Sequence, residues 1–392
     1  MKQKLWILTE LFYPDEAATA YILTNIAKRM KEKYEVHVIC GPVASPHSKV
    51  ADINIGITVH RINLFNMNKD KLSHRTLRFI LISFIMTFKL YRNSKKEDKV
   101  LIVTNPAPLV PFVSLVRLIR QFDLTILIHD LFPENVIPAG IIKNNRSLIY
   151  RCILRLFDKS YARADKIIVL GRDMEEIVAK KLQKYSSKAK IKIITNWADD
   201  AMFTAEDCTT DAKQIEIQYA GNLGRVQGLL DFVQLFNSAQ NDELRLSLWG
   251  DGGLSSAIQH FIQDNQLKNV VLKGPFTRNE QVSVVRRCDI CLVTLAQGMY
   301  GLGVPSKTYN AMAARKPILY IGPNGSEIWR TVSDHGIGYC FSPTDRDGIT
   351  RFLQTLKAID RSSLHAMGDK ARSLASTIYT KEYVLTQLYE CI

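Results

Sequence analysis

Glycine-containing turns with cations beside them are the clearest chemical feature of this sequence. They lie at residues 221–228 (GNLGRVQG), 249–253 (WGDGG) and 301–310 (GLGVPSKTYN). Glycine lets the backbone approach a ligand closely, and a helix N-terminus presents unpaired N–H groups that suit a phosphate. A plain turn between a strand and a helix is the alternative for each segment taken alone.

Arg225 and Lys307 bring positive charge to the first and third of these turns. Ser306 and Lys307 fall in the first turn of a predicted helix, where the helix dipole disfavours a cation. Lys307 therefore calls for an anionic partner. We therefore expect Arg225, Lys307 and the start of this helix to lie close to a bound phosphate group.

The elements that must position these turns are short apolar runs alternating with helical patterns along the whole chain. Continuously apolar runs are typical of parallel strands covered on both faces. The pattern predicts an α/β fold of two Rossmann-like, doubly wound parallel-sheet domains facing across a cleft. The predicted divisions are an N-terminal domain at 1–197, a linker at 198–213, a C-terminal domain at 214–375, and a C-terminal helix within 376–392 that packs back on the N-terminal domain.

The charge of the chain is unevenly distributed. Its 52 Lys and Arg exceed its 38 Asp and Glu by 14. Residues 1–200 hold 33 basic and 19 acidic side chains, whereas residues 201–392 hold 19 of each. The N-terminal domain is therefore expected to face an anionic partner, either a nucleic acid, a phosphorylated ligand or a membrane surface.

Cysteines and paired carboxylates give little sign of a metal site. The seven cysteines are odd in number and scattered, which favours reduced thiols in the cytoplasm. Cys288 and Cys291 form a C-x-x-C in an apolar run and are predicted to pack in the core. Asp345 and Asp347 are predicted to start a helix rather than to bind a metal.

Two helical patterns of the N-terminal domain carry unusual surfaces. Residues 79–91 (FILISFIMTFKLY) are apolar almost all round and are flanked by cations. A buried helix and a helix that dips into a membrane face are both compatible with this pattern. A second pattern repeats Arg151, Arg155, Lys159 and Arg163 every four residues, either as a solvated face or as a membrane contact.

In their order along the chain, these motifs resemble those of family-4 glycosyltransferases, which have the GT-B architecture. The segments GNLGRVQG and PSKTY are similar to the corresponding segments of the subgroup that builds O-antigen, capsule and related surface polysaccharides. The other segments that carry the resemblance are residues 12–16 (FYPDE), 129–134 (HDLFPE), 196–203 (NWADDAMF), 250–252 (GDG) and 325–327 (GSE). The resemblance extends over nearly the whole chain.

The resemblance implies an enzyme that moves a hexosyl or N-acetylhexosaminyl group from a nucleotide-sugar, expected to be a UDP-sugar, with retention of configuration. His129, Arg225 and Lys307 are the expected catalytic residues. Arg225, Lys307 and the N-terminus of the helix that starts at Ser306 are expected to hold the diphosphate leaving group without a metal ion. The expected donor-binding residues are Gly221, Asn222, Gly224, Gly250, Asp251, Gly303, Val304, Pro305, Ser306, Tyr309, Asn310 and Glu327. Glu16, Asp130 and Glu134 are expected on the acceptor side, and no cofactor is expected because the nucleotide-sugar is a co-substrate.

The expected partners follow from the same resemblance and from the charge distribution. They are the nucleotide-sugar donor, a polyprenyl-diphosphate-linked saccharide acceptor and an anionic membrane surface. The protein is expected to be cytoplasmic and peripheral on the inner face of the cell membrane. A nucleic acid is not expected, because the basic segments lack interleaved aromatic residues and no recognition motif is present.

Two departures from the family pattern leave alternatives open. The usual pair of glutamates falls on Leu302 and Asn310, and the usual basic pair of the first turn falls on Asn222 and Gln227. Arg225 and Lys307 could replace the missing cations, which is the interpretation that we favour. The alternatives are a nucleotide-sugar epimerase of the same fold and a catalytically inert subunit that binds a partner or the membrane.

Overall fold

A computed structural model describes residues 2–43, 56–63, 72–142, 146–204 and 214–392 of the chain. The segment predicted as a linker, 198–213, lies partly outside these residues. The chain divides into two compact units. Unit 1 comprises Met1–Val136, Lys143–Ile194 and Leu385–Ile392, and unit 2 comprises Ile137–Ile142 and Thr195–Val384.

Unit 1 is built on a seven-stranded parallel sheet in the order β3-β2-β1-β4-β5-β6-β7. Its strands are β1 (Lys4–Thr9), β2 (Glu35–Cys40), β3 (Thr58–Arg61), β4 (Lys99–Val103), β5 (Asp123–Leu127), β6 (Lys166–Val169) and β7 (Lys190–Ile193). Its helices are α1 (Ala18–Met30), α2 (Leu72–Asn93), α3 (Leu109–Arg120), α4 (Leu148–Ala162) and α5 (Arg172–Gln183). The central strands are buried almost throughout, because helices cover the sheet.

Unit 2 has a six-stranded parallel sheet in the order β10-β9-β8-β11-β12-β13. Its strands are β8 (Ile215–Ala220), β9 (Leu244–Trp249), β10 (Val270–Gly274), β11 (Ile290–Thr294), β12 (Ile318–Ile321) and β13 (Gly338–Phe341). Its helices are α6 (Asp200–Thr204), α7 (Leu229–Ala239), α8 (Ser255–Asp264), α9 (Gln281–Arg286), α10 (Lys307–Ala313), α11 (Glu327–His335), α12 (Arg346–Thr355) and α13 (Arg361–Ile378). Two parallel-sheet α/β units confirm the predicted fold class.

The last helix of the chain, α14 (Lys381–Cys391), ends in unit 1. The Tyr34 hydroxyl donates to the Ile392 carbonyl oxygen at 3.1 Å, and Lys99 Nζ donates to the same oxygen at 2.6 Å. These bonds anchor the C-terminal residues beside β2 and β4.

Helix α2 has one buried and one exposed apolar side. Ile82, Met86 and Leu90 form a stripe at helical spacing that is fully buried in unit 1. Phe84 and Phe88 lie on another side of the helix and remain more than half exposed. Within the described ranges, no helix combines the length and apolar character that a membrane span requires.

Two of the smaller predictions are confirmed in unit 2. Cys288 and Cys291 are both buried in the core, with their sulfur atoms 3.5 Å apart. Asp345 caps the N-terminus of α12, where its Oδ1 accepts a hydrogen bond from the Gly348 N–H at 3.0 Å.

Candidate active site

The turns that follow β8 and β9 in unit 2 are held against each other by backbone hydrogen bonds. Gly221 N–H donates to the Trp249 carbonyl oxygen at 2.9 Å, and Leu223 N–H donates to that of Asp251 at 3.0 Å. Gly250 has a φ of +131°, and a Cβ added there would lie 1.9 Å from the Gly221 oxygen. Only glycine allows the two turns to approach this closely.

Lys307 reaches into this pair of turns from the beginning of α10. Its Nζ would lie 2.8 Å from a Cβ built on Gly221, and it sits 3.3 Å from the centroid of the Tyr219 ring. Burial lowers the pKa of Lys307 from its ordinary value to about 7. Within the described ranges, Lys307 forms no ion pair with a carboxylate. The amine is therefore desolvated, and it lies beside a backbone surface that carries no side chain.

Arg225 is exposed in a short 3-10 turn, Arg225–Gln227, between the glycine turn and α7. No carboxylate in the described part of the chain pairs with it. Asn222 is also exposed, and a Cβ on Gly224 would lie 2.8 Å from its amide nitrogen. The first turn thus presents a cation and an amide to solvent.

Residues 303–310 form the segment that brings Lys307 to the site. Gly303 is buried, and Val304, Pro305 and Ser306 are half-buried before α10 begins. The helix has seven residues, and the Thr308 N–H donates to the Pro305 oxygen at 3.2 Å in its first turn.

The two polar residues that follow Lys307 in the donor set have contacts within unit 2. Tyr309 is buried, with its ring centroid 4.8 Å from that of Tyr379. Asn310 Oδ1 accepts a hydrogen bond from the Asp199 N–H at 2.8 Å. Asn310 also lines, with Lys307 and Cys291, a cavity of about 30 Å³.

Asp251 and Glu327 are both engaged by neighbouring groups. The Ser255 hydroxyl, followed by the Gly252 N–H, lowers the pKa of the exposed Asp251 carboxyl. Glu327 is buried at the first position of α11 and accepts from the Thr331 hydroxyl at 3.3 Å. Both carboxylates stabilise the start of a helix or turn.

In unit 1, His129 and Asp130 lie just beyond the carboxyl end of β5, which ends at Leu127. The Thr104 hydroxyl oxygen accepts from the backbone N–H of His129 at 3.2 Å and from that of Asp130 at 3.3 Å. Burial lowers the pKa of His129 to about 4, so its imidazole is neutral near pH 7. Its buried Nε2 has no hydrogen-bond partner among the described residues. Asp130 is exposed as a residue, yet desolvation of its carboxyl raises the pKa to about 6.

Glu16 and Glu134, the other predicted acceptor-side residues, occupy different environments. Glu16 is exposed in the loop between β1 and α1. Glu134 forms an ion pair with Lys181, and Lys181 also pairs with the buried Asp158. The structure thus assigns the Glu134 carboxylate a partner inside unit 1.

Tyr219 and Thr104 are part of the geometry, although no prediction from the sequence included them. Tyr219 is fully buried under Lys307, and its hydroxyl donates to the Asn222 oxygen at 2.7 Å. It lies two residues before Gly221, and side chains two apart on a strand point to the same face. That spacing could have pointed to Tyr219. No comparable signal marked Thr104, because its bonds join the ends of two different strands.

Comparisons with known proteins match both halves of the chain. The family described as Glycosyltransferase Family 4 matches residues 20–201, and the one described as Glycosyl transferases group 1 matches residues 214–359. The chain is 30% identical over 399 residues to a probable glycosyltransferase of Pseudomonas aeruginosa, WbjE, covering 99% of this chain and 97% of that protein.

Two further proteins are similar at lower identity. A putative colanic acid biosynthesis glycosyl transferase of Escherichia coli, WcaI, is 19% identical over 376 residues, with 90% of each chain covered. The crystal structure of Anabaena HepE in complex with UDP and glucose is 15% identical, with a TM-score of 0.70 and 99% of each chain covered. This second likeness concerns the fold.

Proposed function

The chain belongs to glycosyltransferase family 4, and we propose that it transfers a sugar from a UDP-sugar to a lipid-linked saccharide acceptor in bacterial surface polysaccharide biosynthesis. The observation that carries the donor part is the desolvated Lys307 amine beside Gly221, which pairs with no carboxylate among the described residues. The name of the colanic acid relative supports the polysaccharide part, and the UDP and glucose bound to HepE support the donor part.

The diphosphate of the donor would lie against Gly221, with Lys307 on one side and Arg225 on the exposed side of the turn. Negative charge grows on this diphosphate as the bond to the sugar breaks. Cations already in position stabilise that charge more in the transition state than in the ground state, which lowers the barrier. We propose that these two cations act without a metal ion.

In this mechanism the neighbouring residues position the Lys307 amine and the two glycine turns. Tyr219 supports the Lys307 amine from below, and Gly250 keeps the second turn close to the first. Tyr309 and Asn310 hold the helix that carries Lys307 through their contacts with Tyr379 and Asp199.

His129 and Asp130 are the unit 1 groups that we propose for the sugar and the acceptor. His129 is neutral at pH 7 and has a buried nitrogen without a partner in the described residues, so it can hydrogen-bond a sugar hydroxyl. Asp130 can accept a hydrogen bond from the attacking hydroxyl. We infer retention of configuration from the family alone. Because Glu134 is paired with Lys181, we give it no role in the reaction.

The acceptor and the cellular location are further parts of the proposal. A polyprenyl-diphosphate-linked saccharide would bring the enzyme to the inner face of the cell membrane. The excess of 14 positive charges within residues 1–200 supports an anionic surface as the partner of the N-terminal half.

A panel of UDP-sugars tests this function, each incubated with and without a polyprenyl-diphosphate-linked saccharide. We expect one donor to release UDP only when the acceptor is present, and to do so at full rate in excess chelator. Conversion of a donor without an acceptor would show an epimerase instead. Tight UDP binding with no turnover of any donor would show an inert subunit, and a strict requirement for Mg²⁺ would overturn the metal-free mechanism.

A further inference from the structure

Helix α2 exposes a second apolar stripe opposite to the residues that it buries. Leu77, Leu81, Phe84, Phe88 and Tyr91 recur at helical spacing along one side and are all exposed. Phe84 is 59% exposed and Phe88 52% exposed. A helix that buries one side and faces water with the other normally has polar residues at such exposed positions.

The two neighbouring helices extend this apolar surface. Helix α3 packs against both α2 and α4, and it exposes Leu115, Leu118 and Ile119. Helix α4 exposes Leu148, Ile149 and Leu156. In the part of the chain that the structure describes, thirteen of the sixteen exposed large apolar side chains lie on these three helices. Soluble monomers rarely expose contiguous apolar surfaces of this kind unless they bind something.

Positive charge accompanies the apolar residues. The segments of α2, α3 and α4 contain nine Lys and Arg and a single acidic residue, Asp158, which is buried. Arg151, Arg155 and Lys159 on α4 are exposed and pair with no described carboxylate. The Arg120 guanidinium lies 4.4 Å from the centroid of the Tyr91 ring. An apolar stripe next to unpaired cations is complementary to the acyl chains and headgroups of an anionic bilayer.

We propose that the exposed face of α2, α3 and α4 is a docking surface for an anionic phospholipid bilayer, in which the aromatic and aliphatic side chains enter the interface and the cations contact headgroups. This proposal rests on the proposed function in one respect: a lipid-linked acceptor explains why the protein would bind a membrane. A nucleic acid would match the cations but not the apolar stripe, and a second copy of the chain would meet the same cations with like charge.

Vesicle binding tests the surface with the full chain. Wild-type protein is mixed with vesicles of phosphatidylcholine alone, or with phosphatidylcholine containing a third phosphatidylglycerol, and bound protein is measured by co-sedimentation. We expect binding to the anionic vesicles that falls at least tenfold between low salt and about 0.5 M salt. We expect Phe84→Asp/Phe88→Asp to lower this binding by at least tenfold, because apolar area is replaced by negative charge.

Matched variants separate the surface from general effects. Arg151→Glu/Arg155→Glu is expected to lower binding to anionic vesicles at least tenfold, whereas the same charge change in Lys184→Glu/Lys188→Glu, elsewhere on unit 1, is expected to change it less than threefold. Ile359→Asp, at an 84% exposed apolar residue of unit 2, serves as the control for the aromatic pair. Thermal unfolding and UDP binding of each variant report whether the fold is intact.

The outcomes distinguish this proposal from the proposed function. Failure of wild-type protein to bind anionic vesicles, with turnover of a soluble acceptor analogue retained, would overturn the docking surface alone. A wild-type dimer that Phe84→Asp/Phe88→Asp turns into a monomer, with vesicle binding unchanged, would identify a contact between copies instead. Vesicle binding with no turnover of any donor would leave the surface standing and overturn the proposed function.

Discussion

The two units share the order of their first six strands but differ in the turn after the first strand of each unit, β1 in unit 1 and β8 in unit 2. In unit 2, the turn after β8 has a glycine beside the Lys307 amine, which pairs with no carboxylate in the described part of the chain. In unit 1, the turn after β1 contains Phe12, which is fully buried, and Glu10, which forms a 2.9 Å ion pair with Arg78. The Lys307 amine of unit 2 therefore remains available to an anionic ligand, whereas the Arg78 side chain of unit 1 is already paired with Glu10.

The net charge of the two halves of the chain does not follow the location of the candidate site. The half of the chain with no net charge holds the candidate diphosphate site, and the half with the whole excess exposes the apolar and cationic face of α2, α3 and α4. A small anion needs two well-placed cations, because desolvation strengthens each interaction. An extended anionic surface needs many cations, since each one in contact with solvent contributes little.

The largest expected effect is on Lys307. Lys307→Ala should lower kcat/KM about 10³-fold, because a preorganised charge at the leaving group is lost. Lys268→Ala, at an exposed lysine before β10, serves as the control and should leave turnover unchanged. Steady-state kinetics with the preferred donor checks this, and turnover within tenfold of wild type would contradict the role of Lys307.

A smaller loss is expected at the corresponding edge of unit 1. His129→Ala should lower kcat about 10²-fold through the lost hydrogen bond in the transition state. The dissociation constant of UDP should stay within about twofold, because the nucleotide contacts proposed here belong to unit 2. Steady-state kinetics measures kcat and calorimetric titration measures the dissociation constant of UDP. The control is His260→Ala, at an exposed residue. If His129→Ala weakened UDP binding as much as it lowered kcat, the proposal that only unit 2 contacts the nucleotide would be wrong.

The pH dependence of UDP binding sharpens the assignment further. The pKa of Lys307 is lowered to about 7 in the free protein, and a bound diphosphate raises it again. Above pH 7 the amine must therefore take up a proton when UDP binds, and affinity falls by up to about tenfold per pH unit. We expect this decline between pH 7 and 8.5 in the wild type.

The matched variant for this measurement is Lys307→Arg. An arginine stays protonated throughout this pH range, so its affinity for UDP should vary little with pH, whatever its absolute value. Titrations of both proteins at the same ionic strength provide the test. Identical slopes in the two proteins would show that another group titrates.

The smallest expected effect on turnover is that of Glu134→Gln. Because Glu134 pairs with the buried Lys181, the substitution should lower the free energy of unfolding by about 1–2 kcal/mol and change kcat less than threefold. Urea unfolding measures the first quantity, and Glu97→Gln, at an exposed residue of unit 1, is the control. A large fall in kcat with unchanged stability would restore Glu134 to the acceptor side.

Local patterns predicted the elements well because they depend on neighbours in sequence. The apolar run that became β11 is continuous because helices cover both of its faces, and the same reasoning holds for β1 and β8. Asp345 was predictable as a helix cap because its partner, Gly348, is three residues away. The pairing of Glu134 with Lys181 was not predictable, because it joins residues 47 positions apart.

The sequence by itself determined the two parallel-sheet units, the glycine turns, the presence of Arg225 and Lys307 beside them and the location of the excess charge. All of these depend on composition and short-range spacing. Only the tertiary structure decided that Lys307 lies against Gly221 and over Tyr219, since strand order brings these distant residues together. It also decided which stripe of α2 is buried, because an apolar helix has two sides and only packing against the rest of the unit distinguishes them.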